Sequence, residues 1–211
     1  LENGTYQGYT PFLDSLMDHS KVFMRSYSNG RKSIDAMPSV LTSIPMLVEP
    51  FLLTTYSSNA LNSFANILNG EGYYTAFFHG APNGSMGFEA FVHAVGFKDY
   101  FGMNEFPDKS KFDGSWGIWD EEFFQFFAEK MNGFQQPFCT AIFSVSSHHP
   151  FVVPERYTGK FNPGKVPIHQ CIGYSDMALR KFFATASKMP WYNNTLFVIT
   201  GDHTSQSSYL E

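Results

Sequence analysis

Two cysteines in 211 residues, Cys139 and Cys171, are too few for a disulfide scaffold, and neither sits in a metal-ligand or redox spacing. Their segments read as a buried strand and a helix, so apolar thiols are expected, with pairing left open. Charge is scarce as well: 14 Lys and Arg stand against 19 Asp and Glu, for a formal net charge of -5. With no basic stripe, nucleic acid is excluded as the main partner. No apolar run approaches the roughly 20 residues of a membrane span, and no repeat or low-complexity tract is visible. No signal peptide opens the chain, and both Leu1-Glu2-Asn3-Gly4 and Tyr209-Leu210-Glu211 read as cut ends of a longer protein. The glycosylation-like triplets at Asn3, Asn83 and Asn193 are short enough to arise by chance and carry no weight.

What the chain has in abundance is aromatic bulk: 24 Phe, 11 Tyr and 3 Trp within a 43% hydrophobic composition. That suffices for one sizeable core, and the simplest assignment is a single α/β domain over residues 1–211. Thr10-Pro11 starts a helix, with threonine as N-cap and proline in the first turn. Further helices are predicted from Ser33 to Pro45, over 58–69, 119–131 and 168–188, each with apolar residues on one face. Strands are predicted over 22–27, 73–78, 137–145 and 196–199, the last as Leu196-Phe197-Val198-Ile199, buried on both faces. Residues 96–117 read as loop, with Asp113-Gly114-Ser115-Trp116-Gly117 a turn covering the site. Alternating strands and helices imply a mostly parallel sheet with helices on both faces.

Chemistry-bearing residues follow the predicted strands. Thr200-Gly201-Asp202-His203 delivers an acid and a histidine at a strand exit, His79 ends the second strand, and Ser146-Ser147-His148-His149-Pro150 ends the third. Of the two adjacent histidines, which point in different directions, at most one need face a ligand. Ser33 lies at a turn into a helix, where backbone N–H groups favour phosphoryl oxygens; from its own segment alone it reads first as an N-cap. In open parallel sheets such residues gather beyond the carboxyl ends of the strands, which would bring this set to one edge.

These residues resemble the lipoteichoic acid synthase-like and phosphoglycerol transferase branch of the alkaline phosphatase/sulfatase superfamily. The resemblance rests on Tyr9-Thr10-Pro11-Phe12-Leu13-Asp14, Asn29-Gly30-Arg31-Lys32-Ser33-Ile34-Asp35 with Ser43-Ile44-Pro45, Ser147-His148-His149-Pro150-Phe151, and Gly201-Asp202-His203. It implies an alkaline phosphatase-like core truncated at both ends. It also implies that Ser33 is the metal-bound nucleophile, that Asp202 and His203 are metal ligands, and that His148 binds substrate. His79, Arg31 and Lys32 are further substrate-binding candidates. The metal implied is Mn2+ first, with Mg2+ or Zn2+ open, because an Asp/His/hydroxyl set suits any of them. The substrate implied is a phospholipid or glycerol phosphate unit, handled outside the cytoplasm by a membrane-anchored bacterial parent.

The chain departs from that pattern in three places. The family's remaining ligand, a glutamate on an upstream strand, is not in the sequence, so Asp202 and His203 need hold no metal here. Ser85-Met86-Gly87-Phe88 stands where lipoteichoic acid synthases carry a substrate-holding tryptophan and arginine. Eight residues follow His203, where the family has a further C-terminal part. Ser33-Ile34-Asp35-Ala36-Met37 does not fit the Cys/Ser-x-Pro-x-Arg pattern of sulfatases, which favours phosphorus over sulfur. The expectation is a metal-dependent phosphotransferase or phosphodiesterase; a non-catalytic binding module and a phosphatase- or sulfatase-type hydrolase are the alternatives.

Overall fold

The computed structural model describes residues 8–204, and the two chain ends and the Asn3 triplet lie outside the described residues. The chain forms two compact units. One comprises residues 25–105, 133–143 and 195–211, the other residues 1–24, 106–132 and 144–194.

The first unit is built on a three-stranded parallel sheet in the order β2-β1-β3, with β1 Tyr74–His79, β2 Asp99–Phe101 and β3 Phe138–Phe143. β1 is central and buried from Thr75 onward, as expected of a strand flanked on both sides and covered on both faces. Its neighbours lock the register by pairing Phe77 with Tyr100 and Ala141, and His79 with Phe143. Phe77 joins Met37, Leu41, Ala65, Phe88, Val92 and Phe97 in one apolar cluster, which seats helices α2 (Ser33–Thr42), α3 (Phe64–Gly70) and α4 (Phe88–Ala94). Phe78 belongs to a second pile of rings with Phe101 and Phe134. Ser63 caps α3 by accepting the Asn66 N–H and donates its own hydroxyl to the Val95 carbonyl, tying α3 to the end of α4.

The second unit packs α1 (Pro11–Met17), α5 (Asp120–Met131) and α6 (Ile168–Ala186). Phe127 stacks on Phe182 across the α5 and α6 pair, and Phe12 of α1 meets Phe183. Pro11 occupies the first turn of α1, but Thr10 does not cap it. The Asp176 carboxylate of α6 accepts the Phe12 and Leu13 N–H groups at 3.0 and 2.9 Å, and the Thr10 hydroxyl donates to Asp14 instead.

Two predicted strands are corrected. Residues 22–27 and 196–199 adopt no strand among the described residues, and Phe23, Met24, Tyr27, Leu196 and Val198 are exposed. An apolar run becomes a strand only when neighbouring backbone takes up its N–H and C=O groups, and neither run enters the β2-β1-β3 ladder. Conversely, β2 forms inside the stretch read as loop. Three residues are too short to show a period, and β2 is ordered by pairing with β1. Cys139 and Cys171 are free thiols; burial pushes the Cys171 thiol up to about 11, so it is inert at neutral pH.

Candidate active site

Three predicted residues of the sheet-containing unit meet. Ser33 is the first residue of α2, buried at 4% exposure, and its Oγ donates to Asp202 Oδ2 at 3.1 Å. His203 Nε2 lies 3.4 Å from the same Oγ and 3.2 Å from the same Oδ2. The approach to α2 explains why Ser33 sits where it does. Gly30 has φ +88, and a Cβ there would stand 2.3 Å from Asp35 Cβ, so only glycine lets the backbone pass this close. Asp35 Oδ2 then accepts the Arg31 and Lys32 N–H groups at 3.0 and 3.1 Å, clamping the turn that presents Ser33. The Arg31 and Lys32 side chains are exposed.

His203 Nδ1 is 2.7 Å from the Thr204 carbonyl, which can only accept, so Nδ1 carries a proton. In a neutral ring Nε2 therefore turns a lone pair toward Asp202 Oδ2, and two lone pairs at that range repel unless positive charge lies between them. A second ring proton or a cation supplies it. The donor spacing suits a cation: metal bonds of about 2.1 Å set donor-to-donor edges of about 3.0 Å at right angles and about 3.4 Å at tetrahedral angles. The three edges here, 3.1, 3.2 and 3.4 Å, fall in that window. The residues present fit a divalent metal in donor type and spacing. Among the described residues no three His, Cys, Asp or Glu side chains gather, so the serine hydroxyl is needed to complete the triangle.

His79 is at 1% exposure, with Nδ1 3.2 Å from the Tyr100 hydroxyl and its ring against Phe88 and Phe143. It offers no surface to a ligand and behaves as a core histidine. Burial, followed by the charges of Glu89 and Glu105, keeps the Tyr100 hydroxyl protonated well above its ordinary range.

In the helical unit His148 lies half-buried, its Nδ1 3.2 Å from the Val145 carbonyl and its ring stacked on Trp116. The turn that carries it is anchored on Asp120. Asp120 Oδ1 accepts the Val145 and Ser146 N–H groups at 2.9 and 3.3 Å, and Oδ2 accepts the Ser175 hydroxyl at 3.0 Å. Asp35 had a readable signal, a carboxylate three residues past a helix cap. Trp116 stood in a run read as a turn covering the site, but its contact with His148, like that of Asp120 with Val145, spans about 25 or more residues and was not readable.

Residues 2–210 match the Sulfatase family. The chain belongs to that family. Among its relatives, lipoteichoic acid synthase 1 of Bacillus subtilis is 28% identical over 92% of the chain and 32% of the relative. The lipoteichoic acid synthase-like protein YvgJ of the same organism is 24% identical over 92% of the chain and 33% of the relative. The chain thus spans about a third of the length of these curated relatives. A solved Vibrio parahaemolyticus protein of the alkaline phosphatase superfamily superposes with a TM-score of 0.78 at 26% identity, over 87% of the chain and 46% of that protein. The fold of this Sulfatase-family chain is therefore alkaline phosphatase-like.

Proposed function

We propose that residues 1–211 are part of one catalytic domain of a metal-dependent phosphotransferase or phosphodiesterase that uses Ser33 as nucleophile. The observation that carries the reading is the triangle of Ser33 Oγ, Asp202 Oδ2 and His203 Nε2. Its substrate would be a glycerol phosphate or similar lipid head-group unit, a choice supported by relatives named lipoteichoic acid synthases. By the same likeness the parent protein acts at a bacterial membrane with this domain outside the cytoplasm.

Ser33 Oγ forms the new bond to phosphorus as the bond from phosphorus to the donor oxygen breaks. Asp202 Oδ2 accepts the Ser33 hydroxyl as found; with a cation held there the serine proton would pass to water, and the departing oxygen takes its proton from water. Attack on the phosphoserine by an acceptor hydroxyl completes a transfer; attack by water completes a hydrolysis. Arg31 and Lys32, exposed beside Ser33, supply positive charge for the phosphoryl oxygens, as does the N-terminus of α2. We assign His148 to substrate binding through Nε2. Ser33, Asp202 and His203 would hold the cation, Mn2+ first with Mg2+ or Zn2+ open, which when bound lowers the pKa of the hydroxyl and offsets phosphoryl charge.

The test is covalent trapping. The longest natural polypeptide containing these residues is incubated with Mn2+ and a chromogenic aryl ester of glycerol phosphate, quenched in acid and digested. A phosphoglycerol adduct on Ser33 and a loss of at least about 10⁴-fold in turnover for Ser33→Ala are expected. An active Ser33→Ala protein would sink the proposal, and ester binding without any adduct would favour the non-catalytic binding module.

A further inference from the structure

We propose that Trp116 is a positioning residue: its indole, carried on a turn that Asp113 pins through backbone N–H groups, holds the His148 imidazole in the tautomer with the proton on Nδ1 and the lone pair on Nε2. The consequence for turnover rests on the reading of His148 as a substrate-binding residue; the consequence for the tautomer does not.

The loop carrying Trp116 is tightly built. Asp113 Oδ1 accepts the N–H groups of Ser115, Trp116 and Gly117 at 2.7, 2.7 and 3.1 Å, and the Asp113 N–H closes the turn on the Gly117 carbonyl at 2.8 Å. Beneath it Phe112 bridges to Ile118, which is fully buried. A turn with one carboxylate oxygen receiving three N–H groups has little freedom. Yet the side chain it fixes is 37% exposed, so core packing alone does not account for the arrangement.

What the indole touches does account for it. Its ring lies on the His148 ring with centroids 4.6 Å apart and planes inclined by 27°, and its Nε1–H donates to the His149 carbonyl at 2.5 Å. The edge of the imidazole is held separately. His148 Nδ1 faces the Val145 carbonyl at 3.2 Å; a carbonyl can only accept, so Nδ1 bears the proton. Val145 is itself fixed through its N–H to the buried Asp120. One face and one edge of the ring are thus each met by a group that is itself hydrogen-bonded in place. Without the indole, rotation about the histidine's broad second torsion lets Nδ1 leave Val145, and the ring relaxes toward the Nε2–H form that water favours.

The experiment is ¹⁵N NMR of histidine-labelled protein, with the His148 signals assigned by their loss in His148→Gln. In the unsubstituted chain the neutral His148 ring should show a protonated Nδ1 and an unprotonated Nε2. Trp116→Ala should move it toward the opposite tautomer with unchanged far-UV circular dichroism, and Trp116→Phe, which keeps a stacking face, should restore it. If Trp116→Ala fails to fold, Trp116→Leu, which fills space without a π face, carries the comparison. With the glycerol phosphate aryl ester, Trp116→Ala should raise KM by about 10-fold with kcat changed less than about threefold, as loss of a binding contact does. An unchanged tautomer in Trp116→Ala or Trp116→Leu overturns the proposal. A fully active His148→Gln overturns only the assignment of His148 to the substrate, and the NMR result still decides the role of Trp116.

Discussion

Asp176 performs for α1 the task Thr10 leaves undone, and it does so from another helix. A buried carboxylate accepting two N–H groups is a strong cap, so Asp176→Ala should cost about 1–3 kcal/mol of stability, read from urea midpoints. At Gly30 the argument is steric. Gly30→Ala forces a methyl to 2.3 Å from Asp35 Cβ at a φ of +88, and should both destabilise the chain by about 1–3 kcal/mol and displace Ser33. Loss of the phosphoserine adduct in that variant, with the fold retained, would check the second part. Asp120 gives a pH dependence. Burial, the largest influence, raises its carboxyl above the ordinary range, although hydrogen bonds from Val145, Ser175 and Ser146 act the other way. The native chain thus holds this proton more tightly than the unfolded chain does. Its contribution is full below the unfolded carboxyl value of about 3.9 and is lost as pH rises through the raised native value. Asp120→Asn should flatten that decline when stability is followed against pH.

Among the elements, helices were legible because a 3.6-residue period survives in the sequence whatever lies around it. α1, α2, α5 and α6 fall close to their predicted spans, though α3 is shorter, with residues 55–58 a separate 3-10 turn. Strands depend on a partner, and β2 had too few residues to show a pattern while residues 22–27 and 196–199 had a pattern and no place in the ladder. The residues of the Ser33 triangle were named from short runs that resemble those of the family; the strand expected before Asp202 does not form, so the strand-exit argument did not carry them. The clamp on His148 was not legible, because the Trp116 ring and the Asp120 carboxylate that fixes Val145 reach it only through contacts distant in sequence. One helix-level contact carries its own prediction. Glu121 of α5 accepts from Arg156, Lys181 and Tyr157. Burial alone would raise its carboxyl, yet these partners outweigh burial and hold it below the ordinary value. That stabilisation is present above the unfolded value and lost as pH falls through the native one, so Glu121→Gln should remove part of the acid-side loss of stability.

For the molecule as a whole, the proposed cation at the triangle would make thermal stability its reporter. A cation that binds only the native chain at 100 times its dissociation constant adds about 2.7 kcal/mol, worth roughly 5–10 °C in Tm for a chain of this size. Mn2+ should therefore raise the Tm, EDTA should reverse the rise, and Asp202→Ala should abolish it; an equal rise in Asp202→Ala would place the cation elsewhere. The run before Asp202 has a different consequence. Leu196 and Val198, exposed at 89% and 81%, stand in a stretch of high β-propensity with no charge between Thr195 and Gly201. Such a stretch offers other molecules both a greasy face and a template for strand addition. Self-association of this chain should therefore rise steeply with concentration, and Val198→Lys should raise the concentration at which light scattering appears.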